Sequence, residues 1–176
     1  MLRTVGAIAA AALALGAAGG AGAEDAATAV AGAEDRRVEA GLRASPVPVD
    51  LEGRPRDLVG LGSYLVNVVA TCGGCHTNPE YAAGGDPFKG EPMRIDPARY
   101  LAGGTDFGRA VSSSLRPDGA GLPAGLDYAG FARAMRHGDD RGEPGALLQV
   151  MPWPAFNALD ERDLRAMYEY LAAIGG

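Results

Sequence analysis

Cys72-Gly73-Gly74-Cys75-His76 places two thiols three positions apart, with an imidazole directly after the second. That is the attachment spacing for c-type haem. Each thiol can add across one vinyl group, which fixes the macrocycle edge-on to a single helical turn, and the adjacent imidazole can then supply a nitrogen to the iron. Two other chemistries use similar residues. A thioredoxin-like redox disulfide needs a strand just before the first cysteine and a βαβ setting, whereas residues 57–71 read as a helix. A zinc ion has a nominal Cys2His2 set in Cys72, Cys75, His76 and His137, the ligand types of structural zinc sites. Cys75 and His76 are neighbours, however, and neighbouring side chains converge poorly on one tetrahedral ion. The reading taken is one covalent haem c, since the chain carries one such motif.

A haem held by one histidine needs its other face defined. A thioether there favours the reduced state and raises the potential, whereas an open face admits small ligands and suits a sensor or catalyst. Met151 lies in the run Leu147-Leu148-Gln149-Val150-Met151-Pro152-Trp153-Pro154. Its two prolines stiffen the chain, so holding the side chain costs little entropy. Met93 sits in polar loop sequence 17 positions after His76, and Met135 and Met167 fall on apolar faces of expected helices. Met151 therefore ranks first as distal ligand, with His137 and an open site as the alternatives. Trp153 is expected to pack near the haem, or simply as a buried aromatic. Tyr100, with Leu101, Phe107, Val111 and Leu115, is expected to face the haem or the core.

Three helices would carry these residues. Residues 57–71 place Leu58, Leu61, Leu65, Val68 and Val69 at helical spacing, with Asp57 as a possible cap. This helix is expected to run straight into Cys72, with Gly62 as a place where another helix can approach closely. In residues 127–137, Asp127 is the cap, Tyr128, Phe131, Ala132 and Met135 form one face, and Gly138 is the stop. His137 in its last turn would complement the helix dipole. Asp160 caps the last helix, which carries Leu164, Met167, Tyr168, Leu171 and Ile174 and is expected to end at Gly175. Residues 78–126 are long and aperiodic, with glycine pairs at Gly84-Gly85 and Gly103-Gly104. Loops of that length are usually functional or wrapped around something. The expected fold class is all-α, with haem completing the core.

Arg3, an apolar run over residues 5–18 and Ala21-Gly22-Ala23 read as the three regions of a secretory signal, with cleavage after Ala23. A retained membrane anchor is the lesser reading, because the run falls short of the ~20 residues a spanning helix needs. Residues 1–23 are thus the expected signal peptide and residues 24–56 a flexible leader or tether broken by Pro46, Pro48 and Pro55. Residues 57–176 are the haem domain. The expected location is the periplasm, where thioether formation also keeps the two thiols from closing as a disulfide.

The formal charge is -6, and removing Arg3 with the signal leaves 15 basic residues against 22 acidic, or -7. That argues against nucleic acid or an anionic membrane as partner. A redox protein is the partner expected. Lys89 is the only lysine, so any positive docking patch has to be built of arginine. No catalytic acid, base or nucleophile stands out; the expected role is electron carrier rather than enzyme.

Over about residues 57–176 the chain resembles a mono-haem class I cytochrome c. The resemblance rests on Gly62-Ser63-Tyr64-Leu65 leading into Cys72-Gly73-Gly74-Cys75-His76, on Tyr100-Leu101-Ala102-Gly103-Gly104 and on Leu115-Arg116-Pro117-Asp118. It continues through Met151-Pro152-Trp153-Pro154, Asp160-Glu161-Arg162-Asp163-Leu164 and Met167-Tyr168-Glu169-Tyr170-Leu171. It implies a cytochrome c fold, haem on Cys72 and Cys75, His76 as proximal ligand and Met151 as distal ligand. It also implies that the first and last helices cross near Gly62 and Tyr170. Similar proteins are small electron carriers, or cytochrome partners and domains of periplasmic dehydrogenases. Ser112-Ser113-Ser114-Leu115 departs from the pattern, with serine where relatives often place asparagine.

Overall fold

The computed structural model describes residues 20–143 and 145–175. The chain divides into two compact units, Met1–Gly32 and Ala33–Gly176. Most of the expected signal sequence, including the apolar run over residues 5–18, lies outside the described residues. The described chain is helical, with isolated bridges and no strand, in keeping with the all-α expectation. In order come α1 (Gly20–Ala44), α2 (Arg56–Tyr64) with a π turn (Leu65–Val69), and α3 (Gly73–His76). A short 3-10 turn (Pro87–Lys89), α4 (Tyr128–His137), α5 (Trp153–Phe156) and α6 (Glu161–Ala173) follow.

The core forms where α2 crosses α6. A Cβ at Gly62 would lie 1.8 Å from the Ala166 carbonyl oxygen and 2.8 Å from Tyr170 Cβ, so only glycine lets the two backbones meet. Val59, Leu61, Leu65 and Val66 from one side and Leu164, Met167, Tyr170 and Leu171 from the other are buried around this point. Each such aliphatic side chain contributes roughly 1.5–3 kcal/mol on full burial. The expected crossing of first and last helices is found here.

Two of the three expected caps hold. Asp127 accepts from Gly130 N–H and Asp160 from Asp163 N–H, each at 2.7 Å. Asp57 instead lies inside the first turn of α2, where Pro55 occupies the cap position without a side-chain bond. α6 stops just before Gly175, its expected terminator. It ends at Ala173, and Ile174 turns extended to bridge Val49, while Asp50 N–H donates to the Ala173 carbonyl at 2.8 Å.

Residues 24–56 contain most of α1. They are helical as far as Ala44, and from Ala33 on they pack into the second unit. Val38 is buried in the core, and a Cβ on Gly41 would fall 2.0 Å from the Gly60 carbonyl oxygen. Ser63, fully buried on α2, donates to the Gly41 carbonyl at 2.6 Å. Arg56 pairs with Glu39 at 2.7 Å, and Arg162 pairs with Glu34. The signal for this packing was a sparse one, Val38 and Gly41 in a stretch dominated by alanine and charge. Residues 78–126 are irregular as expected, apart from the 3-10 turn and isolated bridges.

Overpacking a tight crossing costs about 1–3 kcal/mol or more. Gly62→Ala should therefore lower the unfolding free energy by about 3 kcal/mol in guanidinium titrations. Gly119→Ala, where a Cβ meets nothing within 4 Å, should change it by less than about 0.5 kcal/mol. Equal losses in the two variants would contradict the crossing.

Candidate haem site

The motif does not simply continue the preceding helix. Asn67 lies in the π turn, and its side-chain amide donates to the Ser63 carbonyl at 3.0 Å, so a side chain competes with the helical ladder for that acceptor. Ala70 N–H then reaches back five residues to the Leu65 carbonyl at 2.8 Å. Thr71 follows with φ of 47°, in the left-handed region, and the chain reverses. Cys72 N–H closes the reversal on the Val66 carbonyl at 2.9 Å, and a new turn opens with His76 N–H on the Cys72 carbonyl, also at 2.9 Å. Cys72 and Cys75 are free thiols on this one turn, the first half-buried against the core and the second exposed. Burial pushes the Cys72 thiol up to about 12.

His76 is held at both ends. Its carbonyl accepts from Gly103 N–H at 2.7 Å, and its ring Nδ1 lies 2.7 Å from the Ser113 carbonyl oxygen. A carbonyl can only accept, so Nδ1 carries the proton and Nε2 presents a lone pair. Burial holds the imidazole below its ordinary pKa, while the Ser113 carbonyl works the other way. A neutral ring with Nδ1–H engaged by a backbone carbonyl is the arrangement of a metal-ligating histidine. Serine in the run Ser112-Ser113-Ser114-Leu115 does not disturb this, because the contact is made by the main chain.

The loop under the ring is tied down in several places. Leu101, buried, has φ of 54°, and its N–H donates to Thr77 Oγ1 at 3.0 Å. Leu115 N–H donates to the Leu101 carbonyl at 2.9 Å. Arg116 reaches the Tyr100 carbonyl with Nε at 2.7 Å and the Pro97 carbonyl with Nη2 at 2.5 Å. None of Thr77, Gly103, Ser113 or Arg116 stood out as a site residue in the sequence. The Gly103-Gly104 pair and the runs Tyr100-Leu101-Ala102-Gly103-Gly104 and Leu115-Arg116-Pro117-Asp118 were the visible traces of this loop.

The other expected site residues lie in different settings. Met151 is half-buried and packs against the core just before α5, and its carbonyl accepts from Trp153 N–H at 2.8 Å. Trp153 is half-buried with its indole over Gly138, where a Cβ would fall 2.4 Å from Nε1. Tyr100 is almost fully buried, and its hydroxyl donates to Asn67 Oδ1 at 2.5 Å and lies 2.8 Å from the Tyr170 hydroxyl. Ser45 Oγ and Asn67 Nδ2 also reach the Tyr170 hydroxyl, at 2.9 and 3.1 Å. Burial first, and then Tyr170, push the Tyr100 phenol far above its ordinary range. His137 is exposed at the end of α4, and Met93 is 68% exposed. Met135 and Met167 are core residues. Phe107 and Val111, expected to face haem or core, are exposed. Among the described residues no three His, Cys, Asp or Glu side chains gather in metal-binding geometry.

The donor set fits haem c. Two unpaired thiols share one turn, the adjacent imidazole keeps Nε2 free, and a thioether is packed against the same core. The apolar residues leading into both segments are uncovered: Val68 and Val69 before the motif are 48% and 58% exposed, and Leu147 and Val150 before Met151 are 48% and 37% exposed.

The comparisons point the same way. The chain is 28% identical over 134 residues to the fructose dehydrogenase cytochrome subunit of Gluconobacter japonicus, covering 74% of this chain and 24% of that one. It is 30% identical over 114 residues to the gluconate 2-dehydrogenase cytochrome c subunit of Pantoea cypripedii, covering 64% and 22%. It is 28% identical over 115 residues to the cytochrome c subunit of the quinone alcohol dehydrogenase of Gluconacetobacter polyoxogenes, covering 64% and 21%. This likeness supports a c-type cytochrome. The chain spans less than a quarter of the length of these relatives. No protein-family model matches the chain. No solved structure matches it.

Removing the Tyr100 hydroxyl leaves Asn67 Oδ1 without its donor, and a buried group left unpaired costs about 1–3 kcal/mol. Tyr100→Phe should lose that much stability in denaturant titration of the haem-loaded protein and keep the haem bands of the parent. Displaced bands would return Tyr100 to direct contact with the haem.

Proposed function

We propose that this protein is a periplasmic electron carrier holding one haem c, and that it serves as the cytochrome partner of a dehydrogenase or oxidase. The observation that carries this reading is the His76 ring, fixed by the Ser113 carbonyl at 2.7 Å on the same turn as two free thiols. In this reading Cys72 and Cys75 form the two thioethers, His76 Nε2 is the proximal ligand and Met151 Sδ the distal one. The fold is that of a class I cytochrome c, carried by residues 57–176 and braced by residues 33–56. Residues 1–23 act as the export signal, so that haem is attached outside the cytoplasm. The uncovered Val68, Val69, Leu147 and Val150 would then lie against the macrocycle, and Trp153 would back the Met151 segment.

Bound haem would supply one-electron exchange between ferrous and ferric iron. The chain's own residues supply rigidity. His76 is pinned through its main chain and its ring, and Met151 is pinned by the Pro152 turn, so little rearrangement accompanies a change of charge. The likeness to cytochrome subunits supports a redox protein as partner. The net charge of -7 left without residues 1–23, 15 basic residues against 22 acidic, favours a partner with a basic docking face.

Met151→Ala should lower the midpoint potential, because a thioether ligand favours ferrous iron, and should let carbon monoxide bind promptly to the reduced protein. Cys72→Ala with Cys75→Ala should abolish haem that survives denaturation and acid extraction. An unchanged potential in the first variant would remove Met151 from the iron. Covalent haem in the second would overturn the attachment site.

A further inference from the structure

The proximal side of the site is spaced by an absent side chain. Gly103 has φ of +74°, and its N–H donates to the His76 carbonyl at 2.7 Å. The next N–H, on Gly104, donates to the Ser112 carbonyl at 2.9 Å. This two-residue turn is therefore stapled on one side to the haem motif and on the other to the strand of chain whose Ser113 carbonyl accepts from His76 Nδ1. The three contacts close a triangle: His76 ring to Ser113, Ser112 to Gly104, Gly103 to His76 main chain. A Cβ on Gly103 would point into that triangle, 2.5 Å from Ser112 O, 2.5 Å from Ser113 C and 2.7 Å from Ser113 O. All three are backbone atoms, so no flexible side chain can move aside. Either the Ser113 peptide shifts away from the ring, or the turn shifts away from the His76 main chain.

We infer that Gly103 is a positioning residue: its missing side chain sets the separation of the Ser113 carbonyl from His76 Nδ1, and through it the strength of His76 as an iron ligand. This rests on the reading of His76 as the proximal ligand. A short Nδ1–H···O=C bond polarises the ring towards imidazolate and makes Nε2 a stronger donor. A stronger donor favours ferric iron, so lengthening that bond raises the potential. The potential is then set partly by a loop 27 positions along the chain from its ligand. Thr77 supports the same turn by accepting from Leu101 N–H at 3.0 Å.

Gly121 provides the control. It has φ of +76°, so an alanine there is strained in the same way, yet its Cβ would meet nothing within 4 Å and it takes no part in the triangle. The experiment compares the haem-loaded wild type with Gly103→Ala, Gly121→Ala and Ser113→Ala by redox titration and, with Met151→Ala added to each so that the reduced iron is five-coordinate, by the iron–histidine stretching band in resonance Raman spectra. Gly103→Ala should raise the midpoint potential and lower the stretching frequency. Gly121→Ala should lose stability without either change, and Ser113→Ala, which keeps its carbonyl, should match the wild type. Identical potentials and stretching bands in Gly103→Ala and Gly121→Ala would overturn the inference. Should Gly103→Ala fail to accumulate, Thr77→Val releases the same turn and should raise the potential by a smaller amount; no rise there overturns it equally. His76→Gly tests the reading beneath it. A haem spectrum unaffected by that change overturns the ligand assignment itself, whereas a spectrum that loses its low-spin form and regains it with added imidazole supports it.

Discussion

The close crossing of α2 and α6 at Gly62 is the constraint from which the rest of the second unit follows. With 1.8 Å between a hypothetical Cβ and the Ala166 carbonyl, the two helices have one way to meet. That contact puts Tyr170 beside the end of α2, where its hydroxyl reaches Asn67, Tyr100 and Ser45. Three separate stretches of chain are thereby tied to one phenol: the π turn, the long irregular loop and the segment after α1. Among the described residues no buried side-chain nitrogen or oxygen lacks a partner. A buried polar cluster of this kind stabilises only when complete, because each unpaired member would bear its full desolvation cost. The cluster therefore fixes geometry as much as it adds stability.

From that fixed point the chain is led to the thiols by backbone detail rather than by a continuous helix. The π turn, the left-handed Thr71 and the Cys72 N–H on Val66 turn the motif away from the α2 axis. The His76 ring is then oriented by main-chain groups on the 101–104 and 112–115 loops. Irregular chain can offer carbonyls in directions a helix or strand cannot, since its own hydrogen bonds leave them free. The long aperiodic stretch is thus the part of the molecule that holds the His76 ring.

Much of this was legible in the sequence, for identifiable reasons. Asp127 and Asp160 announced their helices because a carboxylate at the N-cap satisfies a backbone N–H that would otherwise be orphaned. Gly62 announced the crossing because an amphipathic helix seldom carries glycine on its packed face without cause. The motif announced by residue type and spacing that two thiols and an imidazole would share one turn, and they do. The hidden parts share a different feature: they depend on main-chain groups, whose positions no side chain reports. The Ser113 carbonyl on His76 would be available from any residue at that position, and the collision space beside Gly103 exists only once three loops are assembled. Tyr100 was expected at the haem or core from its apolar bulk, but its hydroxyl is committed to Asn67 and Tyr170. The helix through residues 33–44 was obscured by alanine and charge, because its contact with the core rests on Val38 and on the close approach of Gly41 to Gly60.

The central claim is a covalent haem with His76 and Met151 on its iron. The most direct measurement is the absorption spectrum of protein expressed with periplasmic export, oxidised, then reduced, then exposed to carbon monoxide. Sharp reduced bands, the weak far-red band of sulfur-ligated ferric haem and indifference to carbon monoxide are the result this account predicts. A colourless protein would contradict haem attachment, and a prompt shift with carbon monoxide would contradict the closed distal face.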